Sequence, residues 1–336
     1  MKLLPATAAE HGALAALIAA SHRDVAERFG LNAGNCPNHA SACTPQWLAD
    51  ETARGQRYLV ARVAGETVGC VAVDFPAEGE SLHLNRLSVL PAWRRRGIGE
   101  ALTRAVLEVA AHYGVGRVSI GIIAAHAELE RWYARLGFVA GATRRFEHLP
   151  FQVRYMACTV PPASTPTLYE TARLRCRRWR PDDVAALQAV YGDADAMRWA
   201  GDGRAITAAE CEAWRRVTAI NYATRGHGMF ALEARDGSGV IGFCGLVHPG
   251  GQIEPEAKYA LARQHWGQGL ASEALQGLLA WAAARGLGPV IATVAEPNHA
   301  SRRVLAKAGL HEVGRRDEDD GVPTLIYAAA SGPSPA

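Results

Sequence analysis

A loop with three consecutive arginines and two glycines is the part of the sequence best suited to bind an anion. The loop is Arg94-Arg95-Arg96-Gly97-Ile98-Gly99; it follows a β-rich run at 82–89 and precedes a stretch with helical spacing. A helix N-terminus presents unpaired N–H groups, and a glycine lets an anion approach the backbone with no side chain in the way. Arginines add bidentate donors for phosphate. The loop therefore predicts a phosphate site, the alternative being a solvated basic turn.

A second loop brings together three residues that could ligate a metal. Cys36, His39 and Cys43 lie within eight residues of one another. A closed structural zinc site needs four ligands, and no neighbouring Cys-x-x-Cys or histidine pair completes the set, His22 being distant along the chain. Metal binding is thus the minor alternative. We predict no metal cofactor and expect this loop to contact a substrate.

The elements that would position these residues occur twice along the chain. Gly97, Gly114 and Gly137 return as Gly269, Gly286 and Gly309, each 172 residues later. The apolar stripe Leu129, Trp132, Tyr133 and Leu136 returns at the same offset as Ser301, Val304, Leu305 and Ala308. A repeat with a constant offset indicates two domains of one fold.

The order of elements within each half predicts an α/β fold. Each half contains a strand, helices, three strands, a helix, a strand, a helix and further strands. We expect two tandem α/β domains, each a mixed sheet flanked by helices, with its fourth and fifth strands splayed apart. A chain of 336 residues is long enough for two cores. The predicted limits are 1–160 and 169–330, with a Pro-rich linker at 161–168 and a tail at 331–336.

Composition excludes several classes of protein. The net charge is only +3, and the one tight basic cluster is the arginine loop, so we expect no nucleic-acid partner. The sequence has no run of about 18 apolar residues, so we predict no membrane span. Glu10 and His11 interrupt the apolar start, which argues against a signal peptide. Seven scattered cysteines suit a reducing compartment, so we expect the cytoplasm.

The arginine loop in its strand–loop–helix setting resembles the coenzyme A pyrophosphate loop of the GNAT acetyltransferases, Gln/Arg-x-x-Gly-x-Gly/Ala. Arg94, Gly97 and Gly99 match that pattern. The second half resembles the Rim-type branch, through the run at 259–274, Glu170-Thr-Ala-Arg-Leu-Arg and Asn298-His-Ala-Ser. The resemblances cover nearly all of residues 1–160 and 166–330. They imply acetyl-CoA as co-substrate, a small-molecule or peptide amine as acceptor, and a monomer or homodimer.

The resemblance assigns residues in both halves to coenzyme A, including a strand amide that polarises the thioester carbonyl. In the first half they are Val89, Arg94, Arg95, Arg96, Gly97, Ile98 and Gly99. In the second half they are Leu261, Gly267, Gly269, Ala271, Asn298 and Ser301. Trp266 stands 172 residues after Arg94, although Gln264, Gly267 and Gly269 match the pattern two residues earlier. Asn298 is also a good helix N-cap residue.

Catalytic roles follow from the same resemblance. Tyr133 is implied to protonate the departing thiolate, with a core aromatic as the alternative, and Leu305 replaces it in the second half. Glu256 is implied to take the amine proton directly or through water, with a solvated strand carboxylate as the alternative. In the first half Leu84 stands at that place, leaving His83 as a weaker candidate and water as a third option. The rival hypothesis for the chain is that one half only binds acyl-CoA or shapes the other's acceptor site.

Overall fold

A computed structural model describes residues 1–76, 81–199, 203–319 and 321–329. The predicted tail at 331–336 therefore lies outside the described residues. The chain divides into two compact units, the first comprising residues 1–163 with 219–226 and the second comprising the remainder. The division between 163 and 164 falls inside the predicted linker. Among the described residues, no helix is long and apolar enough to cross a membrane.

The first unit contains a seven-stranded mixed sheet in the order β1-β2-β3-β4-β5-β7-β6. Its strands are β1 (Lys2–Pro5), β2 (Arg57–Val63), β3 (Glu66–Asp74), β4 (Ser81–Val89), β5 (Arg117–Ile123), β6 (Val139–Arg145) and β7 (Gln152–Thr159). Its helices are α1 (His11–Phe29), α2 (Pro45–Ala53), α3 (Ile98–Tyr113) and α4 (Ala127–Arg135). This order of elements is the one that the sequence predicts.

Apolar runs in the central strands of this sheet supply a core on each face. Leu59 and Ala61 pack with α3 and α4, whereas Tyr58 and Val60 pack with α1 and α2. Successive side chains of a strand point to opposite faces, so a strand covered by helices on both sides must be apolar at consecutive positions. The helices α1 and α3 therefore lie on opposite sides of the same sheet.

The second unit contains an eight-stranded sheet in the order β14-β15-β13-β12-β11-β10-β9-β8. Its strands are β8 (Thr167–Glu170), β9 (Leu174–Arg177), β10 (Met229–Ala234), β11 (Gly239–Val247), β12 (Glu256–Leu261), β13 (Ile291–Ala295), β14 (Leu310–Arg316) and β15 (Thr324–Ala329). Its helices are α5 (Val184–Tyr191), α6 (Ala194–Met197), α8 (Leu270–Ala283) and α9 (His299–Lys307). Helix α7 (Ala208–Arg225) belongs to it only as far as Thr218. One strand begins inside the predicted linker, because Thr167 pairs with Arg177.

The two predicted α/β domains with mixed sheets are confirmed, and both sheets open between their fourth and fifth core strands. In the first unit β4 and β5 pair only where Ser81, Leu82 and His83 face Arg117, Val118 and Ser119. In the second unit β12 and β13 share the single pair Glu256 and Ile291. Beyond these pairs the strands diverge toward Val89 and Leu261. The splay predicted from the sequence is present in both units.

The 172-residue offset also holds for the bounds of individual elements. Helix α4 spans 127–135 and α9 spans 299–307, while α3 begins at Ile98 and α8 at Leu270. Gly97 and Gly269 precede these helices with left-handed φ angles of 78° and 77°. This register places Trp266 in the position of Arg94, with φ and ψ of −73° and 160° against −65° and 161°.

Candidate functional site

The arginine loop forms a cradle of unpaired backbone amides at the N-terminus of α3. Gly97 and Arg95 both have left-handed φ angles, 78° and 60°. Among the described residues, no backbone hydrogen bond uses the N–H of Arg95, Arg96 or Gly97. The first N–H groups of α3 are unpaired as in any helix. Consecutive free amides of this kind bind anions, so the loop fits the diphosphate of coenzyme A.

The three arginines of this loop have different partners. Arg95 is exposed and has no ion pair within the described part of the chain, and the Arg96 guanidinium lies 4.8 Å from the ring of Trp93. Arg94 instead donates to Asp24 at 2.5 Å and 3.2 Å and to the Ser21 carbonyl at 2.6 Å. Its Nε also lies 3.3 Å from the Val89 carbonyl. Arg94 thus ties α1 to the end of β4, and its direct contact with phosphate stays a prediction.

The loop of the second unit has the same backbone with other side chains. Gly267 and Gly269 adopt φ angles of 74° and 77° at the positions of Arg95 and Gly97. Trp266 donates its indole N–H to the Leu261 carbonyl at 2.7 Å, as Arg94 does to Val89. Arg173 donates to the Gln268 carbonyl at 2.9 Å, but its charge is paired with that of Glu273 at 2.7 Å. Local sequence patterns do not reveal this contact, because 95 residues separate Arg173 from Gln268.

Tyr133 lies on α4 with a buried ring and an unpartnered hydroxyl. Its side chain is 4 % exposed and packs edge-on against Trp132 and Phe138, with ring centroids 4.8 Å and 5.3 Å away. Its hydroxyl makes no hydrogen bond to any described residue, yet it is not sealed from solvent. Burial raises the pKa of Tyr133, so the phenol keeps its proton at neutral pH. Tyr133 is therefore a core aromatic whose hydroxyl is also available to donate a hydrogen bond.

The corresponding groups of the second unit are already bonded to one another. Leu305, 1 % exposed, occupies the place of Tyr133. Ser301 shares a hydrogen bond of 2.7 Å with the Tyr259 hydroxyl. Asn298 is the N-cap of α9 and accepts from the Ser301 N–H at 3.1 Å, as His126 caps α4 in the first unit. The capping alternative for Asn298 is therefore present, and contact of Asn298 and Ser301 with coenzyme A stays a prediction.

Glu256 is a buried carboxylate with close partners. Glu256 is only 3 % exposed, so the alternative of a solvated strand carboxylate is wrong. Lys258 forms an ion pair with it, and Thr293 donates a hydrogen bond to the same oxygen. Lys258 also donates to Thr293 at 3.0 Å. A base role for Glu256 stays a prediction, and it would require proton transfer next to a bound lysine ammonium.

A β-bulge distinguishes β4 from its counterpart β12. Cys70 pairs with Ser88, but the next pair is Ala72 with Asn85, and Arg86 adopts a left-handed φ of 51°. Pairing of β12 with β11 is continuous from Glu256 to Leu261. A bulge leaves an extra residue outside the ladder and redirects the strand. In the first unit this irregularity lies just before Val89.

A histidine that the sequence analysis did not place in the site contacts the same part of β4. His22 of α1 has its Nε2 2.9 Å from the Ser88 hydroxyl. Burial, and after it the positive charges of His39, Arg86 and Arg94, lower the pKa of His22 to about 4. The imidazole is neutral at pH 7. No spacing in the sequence could reveal this pair, since 66 residues separate its members.

A polar cleft of about 610 Å³ opens beside β4 in the first unit. It is lined by Glu51, Arg54, Gln56, Asp74, Asn85 and Arg86. Glu51 and Arg86 neutralise each other through contacts of 2.5 Å and 3.1 Å, and Tyr58 donates to Glu51 at 2.5 Å. Among the described residues, Arg54 and Asp74 have no ion-pair partner. The cleft therefore presents one cation and one anion to a ligand.

The loop at 36–43 contributes a histidine to this face. Cys36 and Cys43 are buried in separate apolar clusters. His39 bonds to Ser41 at 2.9 Å, and its ring centroid lies 6.0 Å from that of His22. Within the described residues, no three His, Cys, Asp or Glu side chains are grouped to hold a metal ion. Substrate contact by this loop stays a prediction.

Comparison with known proteins gives matches in both units. Residues 20–138 match the model of the acetyltransferase (GNAT) family, and residues 173–311 match that of the acetyltransferase (GNAT) domain. These ranges include every residue that the sequence predicts for the two sites.

Two relatives and one solved structure illustrate the similarity. An uncharacterized N-acetyltransferase of Mycobacterium bovis is 32 % identical over 109 residues, which are 32 % of this chain and 67 % of that protein. Human N-acetylaspartate synthetase is 35 % identical over 112 residues, 30 % of this chain and 37 % of that protein. The structure of the ribosomal α-N-protein acetyltransferase RimL with coenzyme A has 17 % identity and a TM-score of 0.42, over 48 % of this chain and 97 % of RimL.

Proposed function

We propose that this chain, which belongs to the GNAT acetyltransferase family and is an N-acetyltransferase, transfers the acetyl group of acetyl-CoA to a primary amine in its first unit. This assignment rests on the differences between equivalent positions of the two units. Tyr133 has an unpartnered hydroxyl and β4 is bulged, whereas Leu305 has no hydroxyl and β12 pairs continuously.

Each group of the first unit has a role in that reaction. Acetyl-CoA, when bound, supplies an acetyl group activated as a thioester. The amides of residues 95–97 and the N-terminus of α3 hold the diphosphate, and Arg95 and Arg96 add positive charge. The Val89 N–H donates to the carbonyl oxygen, where negative charge develops as the amine attacks. Tyr133 gives its proton to the sulfur as the carbon–sulfur bond breaks.

The second unit is proposed to bind acyl-CoA without catalysing transfer. Its loop keeps the left-handed backbone that an anion needs. Its hydroxyls and its carboxylate, however, are already paired in Tyr259–Ser301 and Glu256–Lys258. A group that is already hydrogen-bonded must break that contact before it can assist a reaction. This favours the alternative in which one half is catalytic and the other is not.

The acceptor is proposed to carry a carboxylate beside its amine, and to enter through the polar cleft. Arg54 would bind the carboxylate and Asp74 the ammonium group before it loses its proton. The name of the human relative, N-acetylaspartate synthetase, describes a product made from an acceptor of this class. The seven cysteines, all free and buried, support action in the reducing cytoplasm.

The acceptor class can be tested by acetylating amino acids, their amides and the corresponding decarboxylated amines, with release of the free coenzyme A thiol as the signal. We expect turnover only with acceptors that keep the carboxylate. Arg54→Gln should raise KM for these acceptors by roughly tenfold or more, the loss of one charge-assisted contact, with kcat little changed.

Arg104→Gln, on the exposed face of α3, is the matched control and should leave KM unchanged. Equal turnover of amides and amines by the wild-type protein would refute the carboxylate requirement while leaving acetyl transfer established. Absence of turnover with every amine would refute the function itself.

A further inference from the structure

We infer that the ion pair between Glu51 of α2 and Arg86 of β4 holds the bulge of β4 and thereby directs the Val89 N–H toward the thioester. Glu51 is then a positioning residue for acetyl transfer. This inference rests on the proposed function, in which the Val89 N–H donates to the thioester carbonyl. Neither Glu51 nor Arg86 is among the residues that the sequence assigns to coenzyme A or to catalysis.

The Val89 N–H is directed into the gap between β4 and β5. Val89 faces Gly69 of β3, and the next residue, Leu90, donates its N–H to the Val68 carbonyl at 3.0 Å. Hydrogen-bonded and non-hydrogen-bonded pairs alternate along an antiparallel ladder, so Val89 and Gly69 form a non-hydrogen-bonded pair. Pairing of β4 with β5 ends at His83. The Val89 N–H therefore has no ladder partner in the part of the chain that the structure describes.

The bulge of β4 determines this direction. Arg86 and Leu87 together oppose a single residue of β3, so the ladder shifts by one residue before it reaches Val89. Without that shift Val89 would face Val68, whose carbonyl accepts a hydrogen bond from β4. Because a shift of one residue exchanges the two kinds of pair, the Val89 N–H would then bond to β3. The bulge thus keeps this N–H directed into the gap.

The bulge requires an unfavourable backbone conformation of Arg86. Its φ of 51° lies in the left-handed region. A Cβ disfavours that region, so a residue other than glycine stays there only where its contacts hold it. Glycine adopts the same φ without this cost. The contacts of the Arg86 side chain are therefore part of what maintains the bulge.

Helix α2 and strand β2 supply those contacts. The Arg86 guanidinium donates to both carboxylate oxygens of Glu51, at 2.5 Å and 3.1 Å, and lies 4.2 Å from the centre of the Trp47 ring. Tyr58 of β2 donates to Glu51 at 2.5 Å. The side chains of Arg86 and Glu51 are 15 % and 11 % exposed. A bidentate ion pair buried to this extent fixes the direction of the arginine side chain.

A hydrogen bond connects the bulge to the residue before Val89. The Ser88 hydroxyl donates to the Arg86 carbonyl at 3.0 Å. Ser88 is 1 % exposed, so it has little room to move independently. A change in the φ of Arg86 would therefore displace Ser88 and with it the Val89 amide.

The second unit directs the equivalent amide without a bulge. Ala262 donates its N–H to the Ile241 carbonyl at 2.9 Å, and β12 pairs continuously with β11. Leu261 therefore occupies a non-hydrogen-bonded position, as Val89 does. An amide directed into the gap is thus common to both units, and the first unit depends on Arg86 for it.

The test measures the carbonyl itself, because an ion pair with a merely structural role would change stability and not the carbonyl. Acetyl-CoA with carbon-13 in the acetyl carbonyl is bound to the full chain, and its carbonyl stretching band is recorded by difference infrared spectroscopy. A hydrogen bond to the carbonyl oxygen lowers the frequency of this band. Acetyl-CoA bound to the second unit contributes equally to every spectrum, since the substitutions lie in the first unit. The measurement needs neither an acceptor nor turnover.

Arg86→Ala and Arg86→Gly form the decisive comparison, because both remove the ion pair and only alanine disfavours a positive φ. We expect Arg86→Ala to lose most of the shift to lower frequency that the first unit contributes. Its kcat should fall roughly a hundredfold, as for the loss of one oxyanion donor. Arg86→Gly should retain most of the shift and most of kcat. Acetyl-CoA binding should change little in either variant, because the amides of residues 95–97 are untouched.

Glu51→Gln tests the partner, since it keeps the shape of the side chain and removes the charge opposite Arg86. We expect it to resemble Arg86→Ala, and the double variant Glu51→Gln/Arg86→Gly to recover both the band and kcat. If Glu51→Gln does not fold, the comparison of alanine with glycine decides alone. Glu10→Gln breaks the ion pair of Glu10 with Arg62 in the same unit and is the matched control, which should leave band and kcat unchanged.

Equal bands and equal kcat in Arg86→Ala and Arg86→Gly would overturn the inference. It would also be wrong if Glu51→Gln lowered Tm but left the band and kcat as in wild type. A wild-type protein that acetylates no amine would refute the proposed function, whereas the infrared comparison of alanine with glycine would still decide whether Arg86 directs the Val89 amide.

Discussion

Tyr133 combines two properties that a purely structural tyrosine seldom has. Its ring is buried between Trp132 and Phe138, which stabilises the fold in the way that any core aromatic does. A buried hydroxyl ordinarily finds a hydrogen-bond partner, because an unsatisfied polar group costs about 1–3 kcal/mol. The Tyr133 hydroxyl has none among the described residues. Because the hydroxyl is not sealed from solvent, water can satisfy it in the free protein, and a substrate atom can take the place of that water.

Replacement of Tyr133 by phenylalanine separates its two properties. Tyr133→Phe keeps the ring and removes only the hydroxyl, which makes no internal hydrogen bond to lose. We expect kcat to fall about a hundredfold, the usual contribution of general acid catalysis, while Tm stays within a degree or so. Steady-state kinetics and thermal denaturation of the same preparation measure both. An unchanged kcat would reduce Tyr133 to a core aromatic.

The strand–loop–helix segment around residues 89–99 makes two sets of contacts through different residues. Its amides and the exposed Arg95 face the solvent at the start of α3, whereas Arg94 is turned back toward α1. The loop thus connects the anion cradle to the helix that carries His22. Substitution of neighbouring arginines should therefore have distinct effects.

Arg95→Ala and Arg94→Ala are expected to affect binding and stability respectively. Arg95 has no partner among the described residues, so its loss should leave Tm unchanged and weaken acetyl-CoA binding by about 1.5 kcal/mol, with a smaller difference at high salt. Arg94→Ala removes the contacts to Asp24 and Ser21 and should lower the free energy of unfolding by about 1–3 kcal/mol.

Calorimetry at two salt concentrations and chemical denaturation distinguish these outcomes. If Arg94→Ala weakens acetyl-CoA binding without any loss of stability, the sequence-based assignment of Arg94 to the phosphates is correct and its ties to α1 are incidental.

Local patterns in the sequence predict the elements well and their long-range contacts poorly. Helical spacing and glycines gave α3, α4 and their repeats, because those signals depend on residues within one or two turns. The pairs Arg94–Asp24 and His22–Ser88 join residues 70 and 66 positions apart, and no local rule connects them. The bulge at Arg86 was missed for a related reason, since it depends on the pairing with β3. Glu256 was placed correctly on its strand, but its burial depends on Lys258 and on Thr293 of β13.

Across the whole chain, the two units share a backbone but differ in the side chains at matched positions. Both units retain the splayed strands and a left-handed glycine before the helix. The side chains at matched positions differ in kind: Tyr133 against Leu305, Ser88 against Ala260, and Arg95 against Gly267. Retention of the cradle without the acid is the pattern expected when binding is kept and catalysis is lost.

Acetyl-CoA binding and turnover should therefore be separable within one chain. We expect calorimetry of the full chain to detect two acetyl-CoA sites, the tighter one weakening more with salt because Arg95 and Arg96 act on it by charge. Arg95→Ala should reduce that salt-sensitive difference, whereas Tyr133→Phe should preserve both sites and remove turnover.

Glu256→Gln tests the second unit, since an amide replaces the carboxylate at nearly constant shape beside Lys258. A catalytic first unit predicts that this variant retains kcat. If Glu256→Gln abolishes turnover while Tyr133→Phe keeps it, the reaction belongs to the second unit, and the unpartnered hydroxyl, the bulge and His22 belong to a binding module instead.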